Sequence, residues 1–326
     1  MSVPYSIKSI TTTHDDDDAN ISITVLDIHD RYHGSRHKIG RWLVKAYTDS
    51  LQRYLARKPN MDFAHKTNIA RLLSYIPGGM RAWAGYMPGG FATYYVHEPD
   101  HKRMENGKKL DTITRSFFRH SYDSIGLRAR SYILSWLVMG WADNYKENIN
   151  WVSMGCGSGQ PVYDVVRSFN DQTRERTSLL LVDNDAVVME FARKLYDHQK
   201  TILPQVRFSV GDITNEAFLS ETINKQINLV DMMGLFEYLS DNDSTRLLTR
   251  VYKNITPGGL IVFTNMRNTR PHLDVHKRAV GWPGVVVRSI SDIHSIIKNA
   301  NIPLEAVRVY TSKDGVYNVY RIEKVS

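Results

Sequence analysis

Residues 152–159 read Val-Ser-Met-Gly-Cys-Gly-Ser-Gly, with glycines at 155, 157 and 159. Glycines in this spacing let the backbone turn tightly and let a ligand approach main-chain atoms with no Cβ in the way. A dinucleotide loop would read Gly-x-Gly-x-x-Gly and seat a pyrophosphate on a helix N-terminus. Here the third glycine comes one residue early and Gln160 holds the usual place. No Gly-Lys-Ser/Thr follows, which excludes a Walker phosphate loop. Asp183 stands 24 residues after Gly159. A carboxylate there can accept both hydroxyls of a ribose, although Asp183 or Asp185 could equally cap a helix. Gly211-Asp212-Ile213 offers room beside a flat ring and a carboxylate for an exocyclic amine; helix capping by Asp212 is the rival reading. Together these groups suit a nucleoside-type cofactor.

The elements needed to hold such groups can be traced in the surrounding sequence. Behind Asn148, short apolar runs at 151–154, 178–182, 206–210, 227–232 and 260–264 read as strands, alternating with helical patterns at 161–169, 186–198, 215–223 and 242–255. Such alternation predicts a mostly parallel sheet covered on both faces. A helix near 291–300 and strands at 306–311 and 316–322 follow, the strands joined by Ser312-Lys-Asp-Gly315, a hairpin turn. Ahead of this, residues 1–118 read as a mostly helical N-terminal region. Ile39, Trp42, Leu43, Ala46, Tyr47, Leu51 and Leu55 recur at three and four and predict an amphipathic helix over 38–55. A second helix is expected over 64–75, stopped by Pro77-Gly-Gly79, with another Pro-Gly-Gly closing at Gly90. Residues 91–112 read as a loop and 121–141 as a long helix.

The chain has 326 residues, 42% of them hydrophobic, and a formal charge of +8. A lone Cys156 excludes an internal disulfide and favours a reducing compartment. The first residues lack the pattern of a signal peptide, and the most apolar stretch, 132–142, is about half of what a bilayer span needs. A cytoplasmic protein with no membrane span is expected. The Asp15–Asp18 run lacks the glycine and alternate spacing of a calcium loop and reads as a solvated leader. No set of His and carboxylate residues has metal-ligand spacing, so no metal is expected.

With the glycine loop, Asp183, Gly211-Asp212 and the turn Asn254-Ile-Thr-Pro-Gly-Gly259, the chain resembles class I S-adenosylmethionine-dependent methyltransferases over about residues 119–326. The resemblance implies a Rossmann-like, seven-stranded, mostly parallel sheet with a C-terminal antiparallel hairpin. It implies S-adenosyl-L-methionine as cofactor and S-adenosyl-L-homocysteine as product. Gly155, Cys156, Gly157 and Gly159 would border the methionine part, Asp183 and Asn184 the ribose, and Gly211, Asp212 and Ile213 the adenine, with Asp231 and Met232 flanking the sulfonium. The absence of an Asn-Pro-Pro-Tyr-like segment argues against enzymes that methylate amino groups of nucleobases or glutamine. Gly234-Leu-Phe-Glu-Tyr-Leu239, with Tyr122–Arg130 and Thr264-Asn-Met266, is similar to bacterial methyltransferases that esterify hydroxy fatty acids, Glu237 replacing an Asp.

Transfer from a sulfonium asks the protein mainly to align donor and acceptor and to exclude water. A carboxylate acceptor needs only an anchor, for which Arg128, Arg130, Arg267, Arg270 and His272 are candidates. A hydroxyl or amine acceptor needs a base, for which Tyr122, Glu237, His272 and His276 are candidates. The N-terminal region and residues 265–290 are expected to form the lid that recognises the acceptor. A small organic molecule, favoured as a carboxylate, is the first expectation for that acceptor. RNA or protein is the alternative raised by the basic charge, and a non-catalytic S-adenosylmethionine-binding protein is the third.

Overall fold

The computed structural model describes residues 5–14, 21–198, 203, 205–223 and 226–325; the Asp15–Asp18 run lies outside them. In chain order the elements are β1 (Tyr5–His14), β2 (Ser22–Asp30), α1 (Lys38–Ala56), α2 (Ile69–Ser74), α3 (Gly78–Ala84), α4 (Gly90–His97), α5 (Thr112–His120) and α6 (Tyr122–Ala142). Then come β3 (Ile149–Met154), α7 (Gln160–Ser168), α8 (Asp171–Glu175), β4 (Thr177–Asp183), α9 (Ala186–Asp197), β5 (Gln205–Val210), α10 (Glu216–Thr222) and β6 (Ile227–Met232). The last are α11 (Asp241–Asn254), β7 (Ile255–Met266), α12 (Ile290–Asn299), β8 (Val307–Ser312) and β9 (Tyr317–Glu323).

One sheet joins the strands in the order β1-β2-β8-β9-β7-β6-β3-β4-β5. Nine strands form it, not the expected seven. The seven behind Asn148 are present, β3 through β7 parallel and β9 antiparallel to both β7 and β8. The two additional strands are an antiparallel hairpin, β1 with β2, and β2 pairs in parallel with β8. The N-terminal third therefore contributes strands to the sheet as well as helices. Periodicity missed β2 because it lies against a cluster on each face: Ile23 belongs to one core, Leu26 and Ile28 to the other. A strand buried from both sides has no clean alternation to read.

Other differences have local causes. The Pro-Gly-Gly segments start helices rather than stopping them: Pro77 caps α3 and Gly89 caps α4, which occupies the expected loop. A proline just before a helix costs it no hydrogen bond, because the first amides have no intrahelical partner. The expected helix over 64–75 shrinks to α2, whose first turn is capped by Asn68 accepting from the Arg71 amide. Ser121 separates α5 from α6 and caps the latter. On α1 the expected stripe divides: its first members Ile39, Trp42 and Leu43 are 73%, 66% and 54% exposed, whereas Leu51 and Leu55 are buried together with Val44 and Thr48.

Arg128 ties the N-terminal elements to α6. Its Nε donates to Asp30 Oδ2 at 2.7 Å, Nη1 to the Val96 and Phe118 carbonyls, and Nη2 to the Arg119 carbonyl. The guanidinium is 1% exposed; burial would raise the Asp30 carboxyl, but the hydrogen bond with His33 and this cation together hold it well below the usual carboxylate range. Removing either partner would strand a buried charge, at about 3–5 kcal/mol.

Candidate active site

The carboxyl ends of β3, β4 and β6 open into a cavity of about 630 Å³. Ligands bind in open α/β sheets at this place, where neighbouring crossovers leave in opposite directions. The floor is the glycine loop. Gly155, Gly157 and Gly159 have φ of +62°, +54° and +73°, values costly for any residue with a Cβ. Gly157 is also a point of close approach: a Cβ there would lie 3.2 Å from Gly90 Cα at the start of α4. Conversely, a Cβ on Gly90 would lie 2.9 Å from Gly157 Cα and 2.5 Å from Val188. Two glycines thus bring α4 directly onto the loop.

Asp183 lines the cavity at the tip of β4. Its Oδ2 accepts from the Gly157 amide at 2.8 Å and its Oδ1 from the Asp185 amide at 3.1 Å. Burial raises its carboxyl above the ordinary value against those hydrogen bonds. Capping of α9 falls to Asp185, which accepts from Val187 and Val188, so Asp183 is not spent as a helix cap. Asp212 likewise is no cap of α10, a role held by Asn215; its Oδ1 accepts from the Thr214 amide and hydroxyl. Asn184, Gly211, Asp212 and Ile213 all line the cavity. At Gly211 the space a Cβ would take is filled by the Phe218 ring, so this glycine is required for packing, not for room beside a ligand.

Three expected cofactor positions lie elsewhere. Gly159 sits behind the loop as the cap of α7, where a Cβ would strike Tyr163 at 2.6 Å. Met232 is in the core. Asp231 is fully buried, accepting from Trp151 Nε1 at 2.7 Å and Ser153 Oγ at 3.0 Å, and burial pushes its carboxyl up to about 7. Both Asp231 and Met232 lie within β6, pointing to opposite faces of the sheet, and Met233, Gly234 and Leu235, just past the strand end, meet the cavity instead. Cys156 lines the cavity, and burial pushes its thiol up, away from a nucleophilic thiolate.

Of the polar acceptor candidates, Arg130, Glu237 and His276 line the cavity. Arg130 is 8% exposed at the side chain, with its guanidinium carbon 4.3 Å from the Tyr317 ring centroid. It donates to Glu237 Oε1 at a long 3.4 Å, and its Nε has no partner among the described residues. Burial raises the Glu237 carboxyl, and the Arg130 charge only partly offsets this. His276 sits on a π-helical turn, Val275–Val280, with Nδ1 2.8 Å from Asp123 Oδ1 and its buried Nε2 without a partner among the described residues.

The remaining candidates lie outside the cavity lining. Arg128 is the tie already described. Arg270 Nη1 pairs with Asp123 Oδ1 at 2.7 Å, and together with His276 it holds that carboxyl far below its ordinary range. Arg267 forms an isolated bridge beside Arg288, outside the cavity lining. His272, at φ +57°, turns away toward α1, its Nε2 2.8 Å from Asp49 Oδ1 and its ring edge on Tyr122. Neither His272 nor Tyr122 lines the cavity.

Sequence reasoning also missed several contributors. Trp83, Phe117, Trp282 and Tyr317 give the upper half aromatic walls. Trp282 stacks on His276 and donates to the Tyr238 hydroxyl at 2.6 Å. Arg288 clamps the Phe236–Leu239 segment, donating to the Phe236 and Leu239 carbonyls and to Asp241. His97, at the end of α4, lies buried with neither ring nitrogen hydrogen-bonded among the described residues, 3.8 Å from Asp164 and 3.9 Å from Glu98.

Residues 152–259 match the family model described as a methyltransferase domain. Over those residues, about a third of its length, the chain is similar to a methyltransferase domain. It is an enzyme, and its cofactor is S-adenosylmethionine. Among solved structures, a possible exported protein from Bordetella parapertussis shares 14% identity at a TM-score of 0.60, over 90% of this chain and 99% of that one. The CurJ carbon methyltransferase shares 11% identity at a TM-score of 0.53, over 87% and 81%. At these identities they share the fold of this methyltransferase. No curated protein matches the chain. Among the described residues, no helix is long and apolar enough to cross a membrane.

Proposed function

We propose that the enzyme methylates the carboxylate of a small, lipid-like organic acid, forming a methyl ester and S-adenosylhomocysteine. Bound S-adenosylmethionine supplies a methyl group on a sulfonium, already strongly electrophilic. The glycine loop, Asp183 and Asp212 would hold it: positive-φ backbone opens the floor, and one carboxylate lies at each of two successive strand tips. The observation that carries the acceptor assignment is Arg130, a buried cation on the cavity wall with a long bond to Glu237 and an unpartnered Nε. A guanidinium so placed lacks a partner that a substrate carboxylate would provide. With that cofactor bound, transfer to a carboxylate oxygen would leave S-adenosylhomocysteine and move no proton, so Arg130 would need only to hold the acid in line and no base is required. Aromatic walls suit an apolar tail and keep water from the reacting centre. The similarity of Gly234–Leu239 to enzymes that esterify hydroxy fatty acids agrees with such an acid. A cavity of about 630 Å³ suits a small molecule better than RNA or protein.

His276 favours a second reading, a hydroxyl acceptor. An imidazole braced on Asp123 with a free Nε2 is the arrangement of a general base. The test is S-adenosylhomocysteine release against a panel of fatty and hydroxy acids, phenols and RNA. Turnover of acids alone supports the first reading; turnover of phenols with acids inert overturns it.

A further inference from the structure

The charge of this chain is concentrated in one place. Residues 35–81 hold ten Lys and Arg against two Asp, a net +8, while the rest of the chain carries 32 of each sign. This stretch comprises α1, α2, the segment joining them and the start of α3. Its outer side also carries the largest exposed apolar side chains of the N-terminal region: Ile39, Trp42 and Leu43 on α1, and Ile69, Leu72 and Ile76 on or just after α2, all at least half exposed. Tyr47 of α1 lies against Ser74 of α2, so the two apolar stripes adjoin. Helices with this spacing normally turn such a stripe inward. Here the buried side of α1 is the other one, Val44 to Leu55.

We propose that this face docks on the surface of an anionic lipid bilayer. A stripe of Trp, Leu and Ile rimmed by Lys and Arg is the composition of a helix lying in the headgroup plane, apolar face inserted and cations at the phosphates. Charge complementarity selects this occupant over a second copy of the chain, which would set +8 against +8. The position fits the site as well. Helix α2 packs against the Val275–Val280 turn that carries His276 into the cavity wall. Helices α3 and α5 present Trp83 and Phe117 to the cavity, and α5 shows Ile113 to solvent. The lid thus has an inner face on the acceptor chamber and an outer face built for lipid. The inference does not depend on which acceptor group is methylated.

The test is co-sedimentation of the full chain with vesicles of phosphatidylcholine alone and with about one third phosphatidylglycerol, in low and high salt, with size-exclusion light scattering in parallel. Trp42→Ser/Leu72→Ser removes apolar contacts, and Arg53→Glu/Arg57→Glu reverses charge without touching them. The expected result is binding to the anionic vesicles that falls at least tenfold in high salt and at least tenfold in each variant. S-adenosylhomocysteine affinity should be unchanged, which shows both variants folded. Absence of vesicle binding, or binding indifferent to both variants, overturns the proposal. So does a dimer broken by Trp42→Ser/Leu72→Ser, or capture of a 30-nucleotide RNA in preference to vesicles.

Discussion

Replacing Arg130 by methionine separates anchoring of the acceptor from every other role of the cavity. The guanidinium is buried, and its hydrogen bonding among the described residues is the 3.4 Å approach to Glu237. A substrate carboxylate would gain two charge-assisted bonds from it, each contributing about 1.5–3 kcal/mol. At about 1.4 kcal/mol per decade, Arg130→Met should lower kcat/KM for acids by roughly 10²–10⁴. Methionine keeps an unbranched side chain against Tyr317, so the wall stays filled. The neighbour supplies an internal check. Burial already raises Glu237, and losing the nearby cation raises it further. A carboxyl whose folded pKa lies above its unfolded value loses its stabilising contribution as pH rises from the unfolded value through the folded one. The stability deficit of Arg130→Met should therefore be small near pH 5 and grow toward pH 8, and Glu237→Gln in the same chain should flatten it. The assay is S-adenosylhomocysteine release at several acid concentrations, with calorimetric titration of S-adenosylhomocysteine as control. Cofactor affinity within a factor of two of wild type is expected. If kcat/KM for acids stays within threefold, Arg130 does not anchor the acceptor and the carboxylate assignment loses its support.

Four further outcomes follow from the geometry. Asp183→Asn should weaken S-adenosylhomocysteine binding about 10- to 100-fold by calorimetry, the loss of one charge-assisted interaction at about 1.5–3 kcal/mol; unchanged affinity would remove Asp183 from the cofactor site. Gly90→Ala places a Cβ 2.9 Å from Gly157 Cα, so α4 must lift from the glycine loop, with an expected cost of about 1–3 kcal/mol in thermal unfolding and a weaker cofactor. His276→Ala should leave the turnover of acids near wild type, because a carboxylate needs no base; loss of acid turnover would contradict that, and phenol turnover abolished by the substitution would favour the hydroxyl reading. Asp231 sits near 7 when folded against 3.8 as its ordinary value, so its stabilising contribution is full below about pH 4 and is lost as pH rises to 7, an upper bound of about 4 kcal/mol. Asp231→Asn should therefore gain on wild type between pH 5 and pH 8.5 in thermal melts, and parallel pH curves would contradict the assignment.

The sheet behind Asn148 was legible because each of its strands is a short apolar run set off by turn chemistry, and the hairpin at 312–315 carries its own Asp-Gly signal. The hairpin β1–β2 was not, because its partner β8 lies nearly three hundred residues further on and nothing in the local pattern of β2 records that pairing. Helix α1 shows a different limit. The helix is present, but the seven apolar positions read as one stripe drift round its axis and divide between two faces. In this chain the protein core takes the face of Val44, Thr48, Leu51 and Leu55 and leaves Ile39, Trp42 and Leu43 to solvent.

The two halves of the cavity divide along the same line. The cofactor half is built from contiguous segments at strand tips, so that glycine spacing and the distance to Asp183 are properties of the sequence itself. Even there, alternation within β6 misled: Asp231 reads as a strand-tip carboxylate, yet it turns inward to Trp151 and Ser153. The acceptor half has no contiguous segment. Arg130 comes from α6, Glu237 from the turn after β6, His276 from the turn after β7, and Asp123 braces His276 from the first turn of α6. Arginines 128 and 130 are two residues apart on one helix, about 200° around its axis, so the fold alone decides that one closes a scaffold knot and the other faces the cavity. On the proposed reading, the residues that choose the acceptor are therefore those whose roles depend on tertiary packing, whereas those that would hold the cofactor are fixed by local geometry.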